Sequence, residues 1–349
     1  ATLAYMLWDT AYTLCDVPIF GIVTTMTLDQ KERVSLNSIG RIFAIFAGIV
    51  TGILLPLVRQ SLGGWATTVI VLSILSAAMM IPMCLFAKER VIEREKARDG
   101  GAEENYTLRD MVECLRSNKY LLIFFAAPLI NSLLNVGATW GLYIARYCLG
   151  GEEIASFVSM AVIVPTLIGA AIAVQLCKKY DKFKIFYFSY MFALILGIVR
   201  YIAGYENMMV YVILNALGGF PLGIAAILQY QFTPDCYEYG QYKTGLKMRG
   251  VTFAAQTFFT KLNGAIATAV SVFALTLIGF KEGEGVIQAA GFADKLWTFS
   301  CLGSIIGGIG TLLILRLYKL NDHDVQLMSK CNNGEITREE AEAQMINRY

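Results

Sequence analysis

Asp9, Tyr12, Thr13 and Asp16 stand at positions i, i+3, i+4 and i+7 of an otherwise apolar segment. That spacing puts all four on one face of a helix, with Phe20 continuing the stripe one turn further on. A carboxylate inserted at the centre of a bilayer costs roughly 2.5–3.5 kcal/mol. Two on one stripe must therefore face a cavity or a polar partner. The functional reading is a solute or cation site centred on Asp16; the bland one is a polar seam between helices. Lys261 is the basic counterpart. It lies deep in an apolar span, too deep for its ammonium to reach the surface readily, and Gln256, Thr257, Thr260 and Asn263 surround it in sequence. Arg41 opens an apolar segment, where it can either extend to the interface or turn inward to pair with Asp16. Arg200, near the end of its segment, is expected to extend to the interface.

A third set lies in Pro234–Gly250, PDCYEYGQYKTGLKMRG, which carries both signs of charge. Asp235 and Glu238 are one turn apart, and Arg249 opens the next apolar segment. They read either as weak surface pairs on a loop or as a gate held closed by ion pairs. No nucleophile–base pair, phosphate loop or metal cluster can be picked out, so enzyme chemistry is not expected. Carboxylates, a lysine, hydroxyls and amides inside apolar spans suit the binding of a polyhydroxylated solute and a cation.

The elements that must hold these groups are membrane helices. Of 349 residues, 56% are hydrophobic and 16% charged, against about 25% charged in ordinary soluble domains. The excess apolar surface is more than a soluble core of this size can hide. Nine apolar segments run over about 3–26, 40–58, 66–87, 120–147, 154–177, 184–204, 208–233, 251–280 and 296–318. Most approach the ~20 residues that cross a hydrocarbon core, and in lipid such runs must be helices to satisfy their own backbone. The net charge of +2 offers nothing to nucleic acid. The one histidine, His323, lies in a polar tail, and eight scattered cysteines form no CxxC pair, so neither a metal site nor a disulfide framework is expected.

Charge asymmetry sets the orientation. With 27–39, 88–119, 178–184, 235–250 and the tail on the cytoplasmic side, that side holds 22 Lys and Arg against 4 opposite. The C-terminal tail is then cytoplasmic. Residues 88–118 form a polar insert between three helices and six, with Thr107 to Asp110 as a capping box for a short helix. The tail, 321–349, is expected to be partly helical, with Thr337 capping EITREEAEAQM, and either regulatory or inert, with inert the favoured reading. Glycines at helical spacing, Gly48 with Gly52 and Gly303 with Gly307 and Gly310, mark close helix packing.

The runs YTLCDVPIFG at 12–21, MTLDQKER at 26–33, RIFA at 41–44, DCYEYGQYK at 235–243 and QTFFTK at 256–261 resemble the glycoside–pentoside–hexuronide:cation symporters, the branch of the major facilitator superfamily that includes melibiose permease. The resemblance implies an all-α bundle of twelve membrane helices in two halves. This chain would begin at the fourth helix and hold nine of the twelve: 1–87 the last three helices of the first half, 88–118 the central loop, 119–320 the second half, 321–349 the tail. Such a piece is expected to insert but not to transport by itself. By the same resemblance Asp16 would be shared between sugar and cation, with Thr13 a cation ligand and Tyr12 its polar neighbour. Arg41, Lys261 and Gln256 would contact or flank the sugar. Phe20 stands where that permease has a stacking tryptophan, and Ala226 where it has a second. The function implied is symport of a sugar or glycoside with Na⁺ or H⁺ by alternating access. No cofactor and no metal beyond Na⁺ would be needed. The partners would be a small sugar and the lipid bilayer, with a monomeric protein in the cell membrane. A carrier of another solute such as a lysolipid, or a receptor or enzyme on the same bundle, is the alternative reading.

Overall fold

The computed structural model describes residues 65–87, 108–151, 153–247, 249–281 and 288–349, with individual helical positions between 7 and 48. No strand occurs among the described residues. The chain forms two compact units, 1–106 and 107–349. In the first, α1 (Trp65–Phe86) is apolar on every side and keeps most of its side chains exposed. That is the composition of a helix whose solvent is lipid.

The second unit contains α2 (Leu108–Ser117), α3 (Lys119–Leu134), α4 (Gly141–Tyr147), α5 (Glu153–Leu176), α6 (Lys182–Ala203), α7 (Met208–Leu228), α8 (Phe232–Thr244), α9 (Arg249–Leu277), α10 (Phe292–Leu315), α11 (Asp322–Asn332) and α12 (Arg338–Gln344). Starts are set by short polar side chains that take up the orphan N–H groups of the first turn. Asn118 accepts from Leu121 N at 3.1 Å, Asp181 from Phe183 N at 3.0 Å, Asn207 from Met209 N at 3.0 Å and Asn321 from Asp324 N at 2.8 Å. Thr337 and Glu340 form a reciprocal capping box, as their spacing anticipates. The box expected at Thr107 lies outside the described residues.

Six described helices are long and apolar enough to cross a membrane: Ala66–Phe86, Phe157–Leu176, Lys182–Ala203, Met208–Thr244, Gly250–Leu277 and Phe292–Leu315. Two stretches depart from the expected pattern. The apolar run 120–147 is not one helix: α3 ends at Leu134, with Asn135 as its C-cap, and α4 begins at Gly141, with turns between them. The stretch 235–250 is not a solvated loop either. It is helical to Thr244 and stops at Gly245, whose φ of +76° is the left-handed conformation that glycine adopts at little cost. Asp235 is internal and Glu238 half-buried, while Lys243 and Lys247 stay exposed; the face of Phe232, Cys236, Tyr239 and Gly240 is buried, with α3 and the tail packed on it.

Helices approach most closely where a side chain is missing. A Cβ added at Gly223 of α7 would sit 2.0 Å from the carbonyl oxygen of Thr166 in α5, and one at Gly169 would sit 2.3 Å from that of Phe220. On α10, Gly303, Gly307 and Gly310 are less tight, each with a neighbour in the 130–136 stretch 2.9 Å from an added Cβ. The last three are glycines that spacing singles out; the α5–α7 crossing is not visible from spacing alone. Gly223→Ala is expected to destabilise the second unit by about 1–3 kcal/mol, since backbone rather than a flexible side chain must move. A lowered thermal midpoint in detergent is the readout, and an unchanged midpoint would refute the close-contact reading.

Candidate functional site

On α9, Lys261 stands about 18 Å along the axis from the helix start, at 1.5 Å per residue. It is half-buried. Gln256 is 8% exposed. The two belong to different faces of the helix. Gln256 shares its stripe with Phe259, which stacks on Phe125 of α3 at 4.7 Å, and with Asn263, whose Oδ1 accepts from Ser132 Oγ of α3 at 2.7 Å. Lys261 shares the adjacent stripe with Thr257, also half-buried. The hydroxyl of Thr260 turns back on the helix, donating to Gln256 O at 2.8 Å. The α3–α4 break lies just beyond Ser132. It is held from both sides, because Trp140 Nε1 donates to Ser271 O of α9 at 3.1 Å and Gly137 lies against Ser300 of α10 with no room for a Cβ. A broken helix beside a mid-span polar patch is a common feature of solute sites in carriers, where unwound backbone offers polar groups to a cavity.

In the first unit Tyr12 is helical and 48% exposed. Asp16, Thr13, Phe20 and Arg41 lie outside the described residues, as does Asp9.

The second concentration of polar groups closes one end of the second unit, where the start of α6, the helix after α7 and the start of α11 converge. The Lys182 ammonium lies between the two oxygens of Asp235, at 2.7 and 2.8 Å, and also reaches Asp322 at 3.1 Å. Lys182 and Asp235 are buried, at 8% and 3% exposure. The backbone locks the same groups. Asp181 caps α6 and accepts from Asp322 N at 2.8 Å, while Lys182 N donates to Asp322 Oδ2 at 2.9 Å. Glu238, one turn after Asp235, accepts from Asn332 of α11 at 2.9 Å. Arg249 opens α9, and its side chain lies outside the described residues. Asp235 and Glu238 thus have their described partners within the second unit, Asp235 at Lys182 and Glu238 at Asn332. Those partners are 53 or more residues away along the chain and carry no local signal.

Arg200 corrects an expectation. It does not extend to the interface; it turns into the bundle, with long hydrogen bonds to Asn215 of α7 at 3.5 Å and Ser304 of α10 at 3.4 Å. Both helices present small polar side chains along its path, so inward pairing is available to it.

Among the described residues no three His, Cys, Asp or Glu side chains are grouped to hold a metal ion.

Comparison with known proteins places this architecture. Residues 1–322 match the family described as MFS/sugar transport protein. The chain is 25% identical over 341 residues to the putative glycoside/cation symporter YagG of Escherichia coli K12, covering 95% of this chain and 72% of that protein. It is 25% identical over 342 residues to the lactose permease of Lactobacillus helveticus, covering 90% of this chain and 48% of the permease. It is also 22% identical over 358 residues to a putative sulfoquinovose importer of E. coli K12, covering 98% of this chain and 74% of the importer. The chain spans 63% of the symporter YnaJ of Bacillus subtilis, over which it is 25% identical. These relatives are carriers, not enzymes. With apolar helices of crossing length, a polar patch in mid-span and a family match over most of its length, the chain belongs to the MFS/sugar transport proteins, a family of multi-pass membrane transporters.

Proposed function

We propose that this chain forms most of a cation-coupled symporter for a sugar or glycoside, working by alternating access with Na⁺ or H⁺. The single observation that carries the reading is the half-buried Lys261 in the middle of α9, on the stripe adjacent to that of Gln256 and Asn263. A cation held at that depth is expensive in lipid and is expected to serve a ligand. The relatives bear names of glycoside, lactose and sulfoquinovose carriers, which supports a hydroxyl-rich solute.

In this scheme nine helices cross the membrane, three from residues 1–87 and six from 119–320. The tail is cytoplasmic and the protein works as a monomer in the cell membrane. Asp16 holds the coupling cation with Thr13 and shares the sugar with Tyr12, Arg41 and Phe20. Lys261 and Gln256 supply donors to sugar oxygens. Asp235, Glu238 and Arg249 belong to the cytoplasmic gate, where the Lys182–Asp235–Asp322 cluster keeps one side of the closure rigid.

The test is uptake of labelled sugars by vesicles carrying the full-length transporter, with and without a Na⁺ or H⁺ gradient. Gradient-driven accumulation is the expected result; binding without flux would support a receptor instead. Asp16→Asn keeps the side-chain shape and removes the charge, and it is expected to abolish cation-driven accumulation. Normal accumulation in that variant would refute the role given to Asp16.

A further inference from the structure

Between α5, α6 and α7 runs a trough of about 480 Å³. Its walls are aliphatic and aromatic, with Ile172 and Leu176 on one side and Phe188 and Phe192 on the other. Its base is the α5–α7 crossing at Gly169 and Phe220, where the backbones are too close to admit side chains between them. Ser189 is the polar residue inside, and its hydroxyl is already spent on Phe186 O at 2.7 Å. Nothing in the trough offers a hydrogen bond to a sugar. A flexible hydrocarbon chain is the ligand whose chemistry matches such walls.

The mouth is different. Tyr180 and Lys184 line it, and both are exposed. Lys178 and Lys179 precede Tyr180 in the same turn. The acidic groups nearby are already engaged. Asp181 caps α6 and accepts from Asp322 N, and Asp235 and Asp322 are taken by Lys182. No described carboxylate lies within pairing distance of Lys178, Lys179 or Lys184, and these three exposed ammonium groups with Lys182 outnumber Asp181, Asp235 and Asp322 by one, so this end keeps a small excess of positive charge at its surface. Charge asymmetry along the chain assigns this end to the cytoplasmic side, whose leaflet holds the anionic lipids.

We infer that the trough seats one acyl chain of an anionic phospholipid, whose phosphate is held at the mouth by Lys184 and Tyr180. A lipid is favoured over a free phosphate because cation and apolar trough are continuous. The site is separate from the α9 patch, so the inference does not depend on which solute is carried.

The test is native mass spectrometry of the full chain in detergent, titrated with phosphatidylglycerol, with phosphatidylethanolamine of the same acyl chains, and with glycerol phosphate. Phosphatidylglycerol is expected to bind in preference to phosphatidylethanolamine, and glycerol phosphate not to bind. Lys184→Gln is an exposed substitution that leaves packing intact; it is expected to weaken phosphatidylglycerol about fivefold, the effect of one cation near a membrane surface. Ile172→Trp fills the trough and is expected to weaken both lipids. Equal binding of the two lipids, or phosphatidylglycerol binding untouched by Lys184→Gln, would overturn the headgroup assignment. Binding untouched by Ile172→Trp, or matched by glycerol phosphate, would show that no chain is seated.

Discussion

Lys182→Met is expected to destabilise the second unit by about 3–5 kcal/mol, the loss typical when one partner of a buried ion pair is removed. The cause is what remains. Asp235 is 3% exposed and would be left with no cation beside it, so it must either stay charged in a buried site or take up a proton there, while Asp322 would face it across the vacated position. Asp235→Asn should cost less, about 1–3 kcal/mol, because Lys182 retains Asp322 and a neutral amide replaces the buried charge. Removing both charges by Lys182→Met with Asp235→Leu should recover most of the loss, since an apolar pair of similar volume avoids desolvation altogether. Asp322 tolerates this double change because it is 31% exposed and keeps the backbone N–H of Lys182 as a donor. Unfolding in detergent, followed by thermal midpoint or by denaturant, ranks the three. If the single lysine variant is no worse than the double, the cluster is not a coupled ion network.

The same cluster shows where sequence reading reaches and where it stops. Apolar runs are visible because lipid imposes one simple rule, and the described helices Glu153–Leu176, Lys182–Ala203 and Phe292–Leu315 fall close to the segments it marks. Lys261 stands out for the same reason: a charge in the middle of a run is conspicuous. A charge at the end of a run is not. Lys182 sits in a lysine-rich turn that looks like solvated surface, and its meaning comes from Asp235, 53 residues later, and from Asp322 beyond that. The segment after Pro234 reads as a loop because its charges look solvated. It folds as a helix because Glu238 is taken up by α11, Asp235 by Lys182, and the Asn118 amide by the Cys236 carbonyl at 2.6 Å. Arg200 is misjudged by the converse argument: proximity to a helix end permits extension to the interface, but Asn215 and Ser304 offer an inward partner that spacing does not reveal. The acidic stripe at Asp16 and the arginine at Arg41 lie outside the described residues, and their roles rest on spacing and family resemblance.

Asp324→Ala is expected to release the tail, speeding hydrogen exchange at Ile346 and Asn347 by about 30- to 1,000-fold, the equivalent of ~2–4 kcal/mol. The residue is wholly buried, and donors converge on its carboxylate. Ile346 N reaches Oδ1 at 2.8 Å; Asn347 N, the Tyr349 hydroxyl and Asn321 Nδ2 reach Oδ2 at 3.1, 2.8 and 2.7 Å. Tyr349 is thereby placed against Tyr120 and Tyr239, which ties the tail to α3 and α8. Alanine would strip the acceptor from all these donors at once, whereas Tyr349→Phe removes one and should cost only about 1 kcal/mol. The tail is therefore built into this end of the unit. The pH dependence follows from the carboxyl itself. Burial opposes its ionisation, but the N–H of Ile346, the Tyr349 hydroxyl, the N–H of Asn347 and the Asn321 amide together outweigh burial and hold it below the usual carboxylate range. A group that ionises more readily when folded contributes its full stabilisation above its unfolded value, near pH 4, and loses it as pH falls through the lower folded one. Protection of Ile346 and Asn347 should accordingly stay level from pH 8 to 5, after correction for intrinsic exchange, and fail only in stronger acid. Loosening between pH 8 and 5 would mean that some other group controls the tail, and the assignment to Asp324 would fall.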